Sequence, residues 1–221
     1  MGGRSALIVG NGEPPSRELF TACAGEADLV LCADGGADTA RRLGRAPDYI
    51  AGDLDSVSGP GMAAVAGDRL VRVDADDTGT DMQKVLRLAL ELGVGRADML
   101  GFTGRRTDHT LWNLSLLRTF GDRLDLRLID DHCEIRLIRG RVRFRADVGQ
   151  KLSLCPLDGP AGGIETEGLR WPLRGESLVP GRRDGISNEV TASPVEIRVG
   201  RGDLLLCVQR QSASGRIELL E

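Results

Sequence analysis

Lysine, histidine and aromatic residues are scarce in this 221-residue chain. Two lysines, Lys84 and Lys151, stand against 27 arginines, there are two histidines, His109 and His132, and aromatics make up 3%. With so little histidine and no HExxH string, a His-rich zinc centre is excluded. The arginine skew is read as compositional bias rather than chemistry. Acid outweighs base, with a net charge of −4 and a pI near 5.4. Broad nucleic-acid binding needs a basic surface and is therefore not expected. No apolar run approaches the ~18–20 residues of a membrane span. The opening string MGGRSALIVGNGEPP holds too short an apolar run for a signal peptide and reads as a strand and a turn. Five scattered cysteines (23, 32, 133, 155 and 207) form no CxxC pair, so reduced, mostly buried thiols and a cytoplasmic place are expected. GxSxG and GxxxxGK[ST] are also missing, which removes the serine hydrolase elbow and the common phosphate loop.

What is present is an ordinary globular composition, 41% apolar and 28% charged, long enough for one large or two small domains. Up to about residue 125, short apolar runs alternate with helical periods. Strands are predicted at 6–9, 29–33, 49–51, 70–73 and 97–102, and helices at 16–27, 37–43, 80–92 and 108–120. Thr80 and Gln83 fit a capping box, and Leu111, Leu114 and Leu117 are read as one apolar face. This alternation predicts a parallel sheet covered by helices. Beyond 125 the helical period disappears and short alternating runs follow, punctuated by Gly and Pro: 134–138, 142–146, 152–155, 195–199 and 204–208. That half reads as all-β. The expectation is an α/β domain over 1–125 and a β-domain over 126–221.

In an open α/β sheet, ligands bind beyond the carboxyl ends of the strands, and the acidic residues of the first half gather there. Asp34 follows LVLCA, Asp53 and Asp55 lie in GDLDS, Asp74, Asp76, Asp77 and Asp81 follow LVRV, and Asp108 follows ADMLGF and its loop. Carboxylates at i and i+2 suit a hard cation such as Mg²⁺, although GDLDS alone is also an ordinary Asp-rich turn. GFTGRRTDH leaves a strand and opens a helix, where free amides attract anions. Gly101 and Gly104 permit close approach, and Arg105 or Arg106 reaches a phosphate. Asp108 suits an N-cap as well as a catalytic role. His109 and Trp112 are read as structural. Taken together, the residues point to a Mg²⁺-dependent enzyme acting on a polyphosphate.

The strings CADGGA (32–37), PDYIAGDLDS (47–56), TDMQKVL (80–86), GFTGRRTDHTLWNL (101–114), GLRWPL (168–173) and GISNEV (185–190) together resemble the thiamine pyrophosphokinase family, and NGEPP (11–15) its bacterial branch. The resemblance implies a Rossmann-like parallel sheet with flanking helices and a C-terminal β-sandwich that binds thiamine. It implies transfer of the diphosphoryl group of ATP to the thiamine hydroxyl, with AMP released, by a homodimer with sites at the subunit interface. By motif, Asp53, Asp55 and Asp81 are the implied Mg²⁺ ligands, with Asp34 beside them and Arg106 and Asp108 on the phosphate side. Asn11, Gln83, Lys84, Gly104, Arg105 and Asn113 are implied nucleotide contacts, and Trp171, Ser187 and Asn188 thiamine contacts. The competing readings are a diphosphokinase with another heterocyclic alcohol, a non-catalytic thiamine or nucleotide binder, and a metal-dependent hydrolase.

Overall fold

A computed structural model describes residues 3–53, 57–63, 69–72, 79–211 and 217–220. The chain divides into two compact units, 1–131 and 132–221. The division falls past 125/126 because Asp125–Ile129 is one more parallel strand of the first unit.

In the first unit the strands are β1 (Arg4–Val9), β2 (Leu29–Ala33), β3 (Tyr49–Gly52), β4 (Leu70–Arg72), β5 (Val94–Leu100) and β6 (Asp125–Ile129). They stand in the order β4-β3-β2-β1-β5-β6, and every neighbouring pair is parallel. Helices α1 (Arg17–Gly25), α2 (Gly36–Leu43), α3 (Gly59–Met62), α4 (Asp81–Glu91) and α5 (Thr107–Phe120) lie between them in the chain. Leu7, Ile8, Val9 and Leu31 are fully buried, as expected of a sheet covered on both faces. Each such side chain contributes roughly 1.5–3 kcal/mol of burial free energy. The order reverses between β1 and β5, which opens a crevice at the carboxyl edge.

Two local readings need correction. The cap position of α5 is Arg106, so Asp108 lies in the first turn rather than at the N-cap. The helix buries Asn113, Leu116, Leu117 and Phe120, while Leu111 and Trp112 are exposed. The buried face is set by packing on the sheet, which the leucine spacing by itself does not orient. Elsewhere local chemistry held. Ser16 caps α1 by accepting from the Leu19 amide, and Gln83 Oε1 accepts from the Thr80 amide at 2.9 Å at the start of α4.

The second unit is strand-rich: β7 (Cys133–Arg145), β8 (Lys151–Glu167), β9 (Arg174–Leu178), β10 (Gly185–Glu189), β11 (Val195–Gln209) and β12 (Glu218–Leu220). Pairing is antiparallel, in the order β10-β8-β11-β7, with β9 on β8 and β12 on β7. The short runs expected here are segments of long strands. Runs 134–138 and 142–146 fuse across Gly140, and runs 195–199 and 204–208 fuse across Gly202. Gly140 and Gly202 take φ of 67° and 83°, and the β11 ladders change register near that point. A glycine bulge bends a strand without ending it. Phe144, Leu154, Ile164, Leu178, Ile197 and Leu206 belong to one enclosed apolar cluster. Among the described residues no helix is long and apolar enough to cross a membrane.

Candidate active site

At the carboxyl edge of the first sheet lies a cavity of about 380 Å³. Its floor is made where the loops after β1 and β5 interlock through their backbones. The Gly10 amide donates to Leu100 O at 2.8 Å, Gly12 to Gly101 O at 2.6 Å, and Glu13 to Thr103 O at 2.9 Å. A Cβ on Gly12 would stand 2.5 Å from the carbonyl oxygens of both Gly101 and Thr103. Only glycine permits that approach.

One wall is acidic. Asp34, Asp53 and Asp81 all line the cavity, each from the end of a different strand or the start of a helix. Asp34 is buried and holds a φ of 46°, an unusual conformation for a residue with a side chain. Its amide donates to Ala51 O at 3.1 Å, and its carboxylate lies against Gly52, where a Cβ would meet Asp34 Oδ1 at 3.2 Å. That contact brings Asp34 beside the residue preceding Asp53. Asp55, with Asp74, Asp76 and Asp77, lies outside the described residues.

The other wall carries positive charge. Gly104 and Arg105 take φ of 72° and 49°, so the chain turns sharply before α5. Asn11, Gly104, Arg105, Arg106 and Asn113 line the cavity. Arg105 Nη1 donates to Asn11 O at 3.2 Å. Arg106 donates to Asp108 through Nε at 3.1 Å and Nη2 at 2.5 Å. That hydrogen bond holds the Asp108 carboxyl near a pKa of about 2 and raises that of Arg106. Asp108 itself is outside the lining. Asn113 is buried, and its Nδ2 donates to Phe102 O at 2.9 Å, fixing the loop after β5. Gln83 caps α4. Lys84 is buried with its ammonium 3.4 Å from Asp81 Oδ1, so it meets the acidic wall rather than open solvent. His109, read as structural, also lines the cavity. Its spacing was the signal, because it shares a face of α5 with Asn113. Among the described residues no three carboxylate, histidine or cysteine side chains already form a metal-holding group.

The second unit has its own cavity, of about 250 Å³, lined in part by Trp171, Arg183, Asp184, Ile186 and Asn188. Trp171 is 54% and Ile186 53% exposed. Arg170 stacks on Trp171, its Cζ 5.0 Å from the ring centroid. Asn188 is buried with its amide bonded to the neighbouring backbone. Oδ1 accepts from the Trp171 amide at 3.2 Å and the Glu189 amide at 2.9 Å, and Nδ2 donates to Trp171 O at 2.8 Å. Asn188 therefore holds the tryptophan loop in place. Ser187 is exposed, donates its amide to Ser153 Oγ at 3.0 Å and stands outside the lining.

Carboxylates and an arginine-bearing helix start lining one cavity, at the reversal point of a parallel sheet, mark a protein of the nucleotide-phosphate-handling α/β class. Comparison with known proteins gives the family. The model of the thiamin pyrophosphokinase catalytic domain matches residues 20–129, and that of the thiamin pyrophosphokinase vitamin B1 binding domain matches 139–204. Thiamine pyrophosphokinase of Bacillus subtilis (strain 168) is 27% identical over 204 residues, covering 90% of this chain and 95% of its own. Thiamine pyrophosphokinase 1 of Oryza sativa subsp. japonica is 27% identical over 199 residues, covering 77% and 75%. The crystal structure of the Bacillus subtilis enzyme superposes with a TM-score of 0.79 at 24% identity, covering 94% of this chain and 100% of its own. The yeast enzyme gives 0.80 at 20% identity, covering 95% and 87%. At these identities the structural likeness speaks to the fold. The chain belongs to the thiamin pyrophosphokinase family.

Proposed function

We infer that this protein transfers the diphosphoryl group of ATP to the hydroxyl of thiamine, giving thiamine diphosphate and AMP. The observation that carries the reading is the pair of family matches, catalytic then vitamin B1 binding, with the first spanning most of an acidic, arginine-edged cavity. A different heterocyclic alcohol, a non-catalytic binder and a hydrolase are not favoured.

We assign the Rossmann-like first unit to ATP and the second, a β-sandwich bent at its glycine bulges, to thiamine. Asp53, Asp55 and Asp81 would hold Mg²⁺. The donor set fits, because the carboxylates present only hard oxygen, and Gly52 leaves room for Asp34 to join the same wall. A bound Mg²⁺ would neutralise phosphate charge. The residues of the chain would do the rest. The amides around Gly104, with Asn11 and Arg105, cradle the phosphates. Arg106 meets charge developing as the hydroxyl attacks the β-phosphorus in line, while the bond from that phosphorus to the departing AMP oxygen breaks. Asp108 is a poor proton acceptor at a pKa of about 2, and its geometry suits holding the guanidinium. That leaves Asp34, which lines the cavity, to take the hydroxyl proton. Arg170 covers one face of Trp171, so a cationic thiazolium stacks on the other.

The test is AMP formation from ATP and Mg²⁺, with and without thiamine. Thiamine-dependent AMP is expected. Cleavage without thiamine would indicate a hydrolase, and no cleavage a binding protein. A homodimer with sites at the subunit interface is the accompanying proposal, checked by light scattering against the 23.7 kDa chain mass.

A further inference from the structure

The start of helix α2 touches the chain at two points that flank Asp53, Gly52 at the near end and Ser58 at the far end. At the near end, Asp34 lies just before the helix. Its amide holds Ala51 O at 3.1 Å and its carboxylate packs on Gly52. At the far end stands Asp38, four residues on and in the first turn of the same helix. Asp38 Oδ2 accepts from the Ser58 amide at 2.9 Å, and Oδ1 accepts from the Ser58 hydroxyl. Ser58 is in turn the cap of α3, its Oγ accepting from the Gly61 amide at 3.1 Å. Gly61 has no side chain to obstruct the contact, for a Cβ there would stand 2.7 Å from Asp38 Oδ1. The Ser58 hydroxyl lowers the Asp38 pKa, against partial burial, and the Ser58 amide with Arg41 and Arg42 on the next turn lowers it further.

Asp38 is too far along the helix to line the cavity, and its contacts are not those of a surface residue left to solvent. We propose that Asp38 is a positioning residue for Asp53: through Ser58 it anchors the chain beyond Asp53, while Asp34 anchors Gly52 just before it. One helix start thus holds the chain on both sides of Asp53. Residues that orient metal-holding carboxylates commonly change metal affinity about 10- to 100-fold when removed. The proposal rests on the Mg²⁺ reading above.

The experiment measures Mg²⁺ binding by calorimetry in the presence of a non-hydrolysable ATP analogue, alongside amide hydrogen exchange at Ser58 and Gly61. For Asp38→Ala, Mg²⁺ affinity falls about tenfold and both amides exchange faster, with the thiamine KM little changed. Asp38→Asn keeps an acceptor for the Ser58 amide and retains most of the affinity. Should Asp38→Ala fail to fold, Ser58→Ala serves in its place, with a smaller loss in the same direction. Unchanged Mg²⁺ affinity or unchanged exchange in the folded variant overturns the proposal. If the wild-type protein forms no thiamine diphosphate, the functional reading fails separately, and the exchange data still decide whether the clamp exists.

Discussion

Asn188, implied as a thiamine contact, lines the second cavity and also holds the loop that carries Trp171. Its amide is consumed by the backbone of Trp171 and Glu189. Asn188→Ala would leave buried backbone groups unpaired, at roughly 1–3 kcal/mol, and free the tryptophan loop. The expected outcome is a thiamine KM raised about tenfold, as 1.4 kcal/mol corresponds to a factor of ten, with the ATP KM unchanged in steady-state kinetics. The thiols show the same dependence on neighbours. Cys133, Cys155 and Cys207 are only partly buried, short of the expectation of mostly buried thiols, while Cys23 and Cys32 are buried. A hydrogen bond from Cys207 pulls the Cys155 thiol down to about 7, against partial burial, and the Cys207 thiol is raised. Lower pKa means more thiolate at a given pH. Alkylation of Cys155 by iodoacetamide should therefore rise through pH 7 rather than near 9. Cys207→Ala should move that midpoint upward, as followed by peptide mass mapping.

At the scale of elements, glycines decide where chains cross, bend or stop. Gly12 lets the loops after β1 and β5 lock together under the cavity. Gly12→Ala would force a methyl between two carbonyls and spread the loops. ATP KM should rise at least about tenfold, since misplacing phosphate donors by about 1 Å costs on the order of 100-fold, while circular dichroism shows the sheet retained. In the second unit, Gly140 and Gly202 read as strand ends in the sequence, yet the ladders run on through them. A glycine at positive φ serves a turn and a bulge equally well, and the choice belongs to the partner strand. α4 was legible from its cap and period, while the leucine spacing of α5 held only in part, Leu117 being buried and Leu111 exposed.

For the whole molecule, ligand linkage offers a check independent of turnover. A ligand at a hundredfold excess over its Kd stabilises the native state by about 2.7 kcal/mol. ATP with Mg²⁺ should raise the melting temperature of the full chain, and EDTA should remove most of that rise. Thiamine should stabilise with or without EDTA. A thiamine effect abolished by EDTA would tie the second cavity to the metal, contrary to the assignment of Mg²⁺ to the first unit.

The order of elements, the two-part organisation and the gathering of aspartates at strand ends were determined by the sequence alone, because hydrophobic period and turn residues act over a few positions. Tertiary structure decided which of those residues meet. It brought Asp34, Asp53 and Asp81 to one wall, turned Asn188 inward to hold Trp171, paired Asp38 with Ser58 and exposed Trp112. Each of these depends on contacts between segments distant in the chain, set by sheet register and close backbone approach, which no local pattern encodes.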